Sequence, residues 1–289
     1  MTQKWKEFTS GDRLIVRPLY KYPVATAAEM KLLFDYFEDY SQVKIALGLI
    51  LYQGLRPSEI APLTWKRFTF DESKNAFTEM THVVYKPTNR KTSTGTNYYY
   101  KELRKPIYSK WLSDQLIGYS KKCKRYDNDK VFAWSTPDTL KKYFYQLRKD
   151  VTDKKLSPDY DFMLDETFDV ICGGNNLKKY RVSVYALRRF CFTFNYYVTF
   201  KKDFVALSKA FGHSRPETCL NHYILPKEAI GLTDELIEQG ITIDEFINSQ
   251  IANQTIISDF ELAEMKPRFM QKGQRTLGDY RFMSDKAQI

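Results

Sequence analysis

SQVKIALGLILYQGLRPSEIAPLTW, residues 41–65, decides the fold. Ser41 to Tyr52 reads as an apolar helix running into Gly54, and a second, short helix starts after Pro57. Between them stand Leu55 and Arg56. Working outward, residues 26–40 (TAAEMKLLFDYFEDY) form a helix with a capping-box start, Thr26 followed by Glu29. Met30, Leu33, Phe34 and Phe37 share one face. Residues 1–24 contain Pro18 and Pro23 and read as an N-terminal arm with strand-like character.

On the other side, residues 68–108 are rich in β-branched and aromatic residues broken by Asn, Gly and Pro. They predict two or three antiparallel strands with a turn near Arg90–Asn97. Helices are expected at about 109–120 and 138–152, a loop at 156–180, and helices at 184–199, 202–210 and 217–222. Helical periodicity returns near 233–239 and 242–254, and the final 25 residues read as loosely ordered. The expected class is therefore mainly α with a small antiparallel β-sheet (α+β). The organisation is an arm over 1–24, one domain over 25–226, and an acidic C-terminal tail over 227–289.

Charge is unevenly placed. The net charge is +10, yet residues 86–155 alone hold 18 Lys and Arg against 7 Asp and Glu. Residues 228–265 carry nine acids and no base. In the basic segment the cations alternate with aromatics, as in Tyr98-Tyr99-Tyr100-Lys101 and Lys141-Lys142-Tyr143. Lys and Arg neutralise phosphates while aromatics pack behind them, which points to nucleic acid as a partner. The residues expected along it are Lys101, Arg104, Lys105, Lys121, Lys122, Lys124, Arg125, Lys141, Lys142 and Arg189. No apolar run of 18 residues and no secretory signal is present, so neither a membrane span nor export is expected. Cys123, Cys172, Cys191 and Cys219 are scattered without a CxxC pair, which suggests a reducing, intracellular compartment and no zinc. No P-loop or metal-ligand cluster stands in the sequence, so no cofactor or metal is expected.

Three short segments carry the chemistry: Gly54-Leu55-Arg56-Pro57-Ser58-Glu59-Ile60, Tyr185-Ala186-Leu187-Arg188-Arg189-Phe190, and Phe211-Gly212-His213-Ser214 with Tyr223 ten residues after His213. Guanidinium is planar, permanently charged and bidentate, so Arg56 and Arg188 are suited to clamp one phosphate. A phenol can attack phosphorus and conserve the bond energy as a phosphotyrosine.

In these segments the chain resembles the tyrosine recombinase (phage integrase) family over about residues 25–226. The resemblance implies that family's catalytic-domain fold and a site-specific recombinase or integrase. Such an enzyme cleaves and rejoins DNA through a 3′-phosphotyrosine without ATP or metal. It makes Tyr223 the nucleophile, and Arg56, Arg188 and His213 the groups on the phosphate, with Tyr185 as a possible helper. Glu59 would orient Arg56. It also implies a lysine in a hairpin turn as general acid, Lys91, with Lys86 the alternative. Tyr185 departs from the pattern, standing where the family usually has His; it can donate a hydrogen bond but is a poorer acid–base group.

The resemblance further implies a tetramer on two DNA sites, accessory DNA-bending proteins as further partners, and a C-terminal helix that docks on a neighbouring protomer. Members usually carry an N-terminal core-binding domain, for which only some 25 residues are present here, so the chain is expected to be a catalytic fragment or to grip DNA with one domain and partners. Competing readings are a type IB topoisomerase or telomere-resolving enzyme, a non-catalytic DNA-binding protein with the same fold, and an unrelated basic helical protein.

Overall fold

The computed structural model describes residues 5–10, 13–18, 24–92, 95–123, 128–134, 136, 138–172, 175–213 and 216–256. For residues 5–10, 13–18, 85–92, 95–100, 166–172, 175–179, 218, 221 and 250–256 the description is of the backbone alone. Lys124 and Arg125 lie outside the described residues, and the side chains of Lys86 and Lys91 are likewise outside the description.

The chain is mainly helical with small antiparallel sheets. An N-terminal hairpin pairs β1 (Trp5–Ser10) with β2 (Arg13–Pro18), in keeping with a strand-like arm. Helix α1 (Ala27–Tyr36) follows, its capping box formed by Thr26 and Glu29. Helix α2 (Gln42–Gln53) starts at the Ser41 cap and ends at Gly54, and α3 (Pro57–Ile60) follows directly. Strands β3 (Phe68–Asp71), β4 (Ala76–Thr92) and β5 (Gly95–Pro106) form one sheet in the order β3-β4-β5. Helices α4 (Lys110–Lys122), α5 (Asp138–Thr152), α6 (Val184–Tyr197), α7 (Phe204–Ala210) and α8 (Pro216–His222) follow, with α9 (Asp234–Gln239) and α10 (Ile243–Ile256) last.

Helix α2 is apolar on all sides and is the centre of the core, with Ile45, Leu47, Leu49, Ile50 and Leu51 fully buried. The buried face of α6, Leu187, Phe190, Cys191 and Phe194, packs against it. A second, smaller core of Cys191, Phe192, Leu207, Phe211 and Cys219 lies between α6, α7 and α8, with Tyr223 packed against it.

Two expectations are corrected. Within the loop expected at 156–180, a hairpin stands: β6 (Glu166–Cys172) pairs with β7 (Asn175–Tyr180). Thr167, Phe168, Val170 and Ile171 have strong strand preference, which outweighs the loop signal of the Gly and Asn residues that follow them. The second concerns the tail. Leu225, Ala229, Ile230, Leu232, Ile243, Phe246 and Ile247 all belong to the main core. Phe246 is fully buried, its ring 5.8 Å from Phe190 and 5.6 Å from Phe194. Asp244 accepts from Ser109 Oγ at 3.0 Å at the start of α4, where a carboxylate complements the helix dipole. The compact unit therefore runs through Ile247, and the first part of the acidic tail packs on its own chain rather than standing apart for a neighbouring protomer.

Burying an aromatic ring is the reason this segment holds, so Phe246→Ala should lower unfolding free energy by about 3 kcal/mol. Urea denaturation followed by circular dichroism measures it; a loss under about 0.5 kcal/mol would place residues 227–249 outside the folded unit.

Candidate active site

Gly54 ends α2 in the left-handed conformation, φ +60°. A Cβ there would lie 2.5 Å from Phe211 Cε1, so both backbone and packing require glycine. This tight end turns the chain so that Arg56 caps α3. Its backbone N–H donates to Glu59 Oε2 at 2.7 Å, and its Nη1 donates to Glu59 Oε1 at 2.6 Å. Glu59 is 2% exposed, and its carboxylate also lies 3.9 Å from Arg188 Nη1. One buried carboxylate thus stands between two guanidinium groups. Burial pushes its pKa up, but Arg188 and Arg56 overcome that and hold it below the ordinary value, so it stays ionised.

Arg188 projects from α6 into the core and is 1% exposed. Its Nη1 donates to the carbonyl of Gly54, and its Nη2 lies 3.1 Å from His213 Nε2. Guanidinium has no acceptor, so Nε2 must accept, and the imidazole proton then sits on Nδ1. Burial, and after it the neighbouring Arg56, lowers the pKa of Arg188.

His213 follows α7 through Gly212, which is held at φ +70° against Leu103 and Val84 of the sheet. Its backbone N–H donates to Ser208 O at 2.9 Å.

Tyr223 closes the group. Its ring stacks on Phe192 at 4.7 Å and stands edge-on to His213 at 5.3 Å. The Arg188 guanidinium carbon lies 5.0 Å from the ring centroid, and the tyrosine side chain lies close enough to act electrostatically on both Arg56 and Arg188. Its backbone carbonyl accepts from Thr193 Oγ1 at 3.2 Å, and Thr193 Oγ1 in turn accepts from Leu225 N–H at 3.2 Å. Helix α6 therefore positions both Arg188 and Tyr223.

Arg56, Glu59, Arg188, His213 and Tyr223, separated by up to 167 positions in the chain, meet in one half-buried cluster. Tyr185 does not join it: it lies on the first turn of α6, is 46% exposed, and has Lys141 as its charged neighbour. Lys91 lies at the distal end of the β4–β5 hairpin, where Lys91 pairs with Thr96 and Thr92 with Gly95; Lys86 pairs with Tyr99 further down the ladder. Among the expected DNA-facing residues, Lys121, Lys122, Lys141 and Lys142 are exposed, as is Arg104, which pairs with Glu79; Lys101 is half-buried on β5 and Arg189 half-buried on α6. Lys105 is a correction. It is 8% exposed, donates from Nζ to Gln53 O at 2.8 Å, and lies 3.9 Å over the Phe211 ring, so it faces the core and not a phosphate backbone.

Two residues that the motifs did not single out complete the site, Lys105 and His82. His82 is 2% exposed and its Nδ1 has no hydrogen-bond partner among the described residues. Burial, then Lys105, pushes its pKa down to about 4, with Glu59 opposing. Burial likewise pulls Lys105 down to about 7; Arg188 and Arg56 act in the same direction, against Cys191 and Glu59. Both residues alternate inward in the sheet with Met80 and Val84 on β4 and Ile107 after β5, a period-2 signal present in the sequence.

The arrangement concentrates positive charge around one carboxylate and one phenol, which suits an oxyanion. Among the described residues no group of three or more His, Cys, Asp or Glu is placed to hold a metal ion, and no helix is long and apolar enough to cross a membrane. No protein-family model, curated protein or solved structure matches the chain.

Because the fold keeps His82 neutral down to about pH 4 while the unfolded chain protonates it near 6.5, stability should fall as pH drops through that interval. His82→Phe should remove up to about 3 kcal/mol of that loss. Denaturation midpoints at pH 7 and pH 4.5 check this; parallel pH slopes in the two proteins would contradict it.

Proposed function

We infer that the protein is a tyrosine-type site-specific recombinase or integrase, with that family's catalytic-domain fold, acting on double-stranded DNA. The observation that carries this reading is the convergence of Tyr223 with Arg56 and Arg188 in one cluster assembled from three separate motifs. Charge that develops on phosphoryl oxygens in the transition state meets two preorganised guanidinium groups there, in surroundings that exclude much of the water.

Tyr223 attacks phosphorus, the new O–P bond forms, and the bond to the 5′ oxygen breaks. The phenolic proton leaves through the half-exposed mouth of the site. Lys91, carried at the end of the β4–β5 hairpin, gives a proton to the departing 5′ oxygen. Attack by another strand's 5′ hydroxyl reverses the step and frees Tyr223. Glu59 keeps Arg56 in register. His213 braces Arg188 through Nε2 and offers Nδ1–H as a donor. Exposed Lys121, Lys122, Lys141 and Lys142 supply sequence-independent phosphate contacts, and exchange between two sites calls for a tetramer.

Incubation with nicked suicide substrates drawn from candidate attachment DNA tests this reading. A covalent protein–DNA band is expected, absent in Tyr223→Phe, while DNA affinity changes by less than about threefold because the phenol oxygen is one contact among many. A band that survives in Tyr223→Phe, or no band from protein that binds the DNA, would refute it.

A further inference from the structure

Behind the two arginines lies a third buried cation that strand cleavage as described does not employ. The Lys105 ammonium donates to the carbonyl of Gln53, and the next carbonyl, of Gly54, receives Arg188 Nη1. Two cations thus hold adjacent carbonyls at the C-terminal end of α2, the negative end of its dipole. Lys105 also lies on the face of Phe211, whose ring packs at 4.3 Å on Phe192, the platform under Tyr223. It therefore touches the supports of both the arginine and the tyrosine.

We propose that Lys105 is a positioning residue whose protonation is linked to occupancy of the anion site: an oxyanion held by Arg56 and Arg188 binds together with a proton on Lys105. This rests on the anion-clamp reading of those two arginines. The reason is charge balance. Lys105 faces Arg56 and Glu59 from α3 and its cap, His82 from β4, and Arg188 and Cys191 from α6. With the site empty, two permanent cations oppose its charge and one carboxylate supports it. A bound oxyanion offsets the arginines, so the ammonium form becomes favoured, and by linkage the ammonium form strengthens anion binding. Its neighbours titrate elsewhere: His82 is pushed down to about 4, Cys191 up to about 11, and Glu59 below the usual carboxylate value. Lys105, at about 7, titrates within the range where enzymes of this chemistry work.

Sulfate is a suitable probe, because it stays fully ionised from pH 6 to pH 9. Calorimetric titration of the full chain should show sulfate binding that weakens by at least about fivefold over that range, as expected for a buried charge that interacts with the same two guanidinium groups. Lys105→Met, which removes a buried charge with little change of shape, should bind more weakly at pH 6 and vary less than about twofold with pH. Lys105→Gln keeps a donor for the Gln53 carbonyl and should show the same flat profile, which separates charge from packing. Equal sulfate affinity at pH 6 and pH 9 in the unaltered protein, or the same slope in all three proteins, would overturn the inference. If binding disappears in Arg56→Ala and Arg188→Ala yet ignores Lys105, the clamp stands and this inference falls. If binding is indifferent to both arginines, both fall.

Discussion

The hydrogen bond from Arg188 to the carbonyl of Gly54 is the contact on which the site depends. It joins α6 to the end of α2, and these two helices form the centre of the core. A buried guanidinium is costly unless its donors are met; here a carbonyl, an imidazole and a carboxylate lie around its Nη groups, while Nε has no hydrogen-bond partner among the described residues. The geometry is possible because Gly54 takes a left-handed conformation in a space where a Cβ would strike Phe211. The same turn sets Arg56 at the head of α3, facing Glu59. One residue without a side chain thereby orients both guanidinium groups.

The cluster is not the arrangement that stability alone would select. Arg56, Arg188 and Lys105 share one buried carboxylate, and His82 sits beside them with Nδ1 unpartnered among the described residues. Replacing such groups with well-packed apolar ones usually stabilises a fold. Like charges gathered in a low-dielectric pocket make sense where an anion is to be bound and where charge develops during reaction. The surrounding aromatic core of Phe192 and Phe211 keeps the pocket rigid, and Thr193 pins the Tyr223 backbone to the same helix that carries Arg188.

Much of this was legible in the sequence. Helix periodicity, the Thr26–Glu29 capping box and the Gly54 stop match the observed helices closely, because each is a local signal. Arg56, Glu59, Arg188, His213 and Tyr223 were found by their motif spacing, and the fold gathers all five. What failed did so for tertiary reasons. Lys105 looked like one more cation in a basic segment, although strand alternation sets it inward beside buried Ile107. The run after Pro226 looked like a separate acidic tail because its acids outnumber its anchors, yet Phe246 alone reaches the centre of the core. Tyr185 stands three residues before Arg188, yet it is 46% exposed while Val184, Ala186 and Leu187 around it are buried.

The central claim is that Arg56, Arg188 and Tyr223 converge on one oxyanion. A crystal structure of the protein with orthovanadate, a mimic of the five-coordinate phosphoryl group, tests it most directly. The account predicts vanadium bonded to the Tyr223 oxygen, with vanadate oxygens on the Arg56 and Arg188 guanidinium groups and the Arg188–Gly54 contact intact. Vanadate bound elsewhere, or a Tyr223 side chain turned away from both arginines, would contradict it.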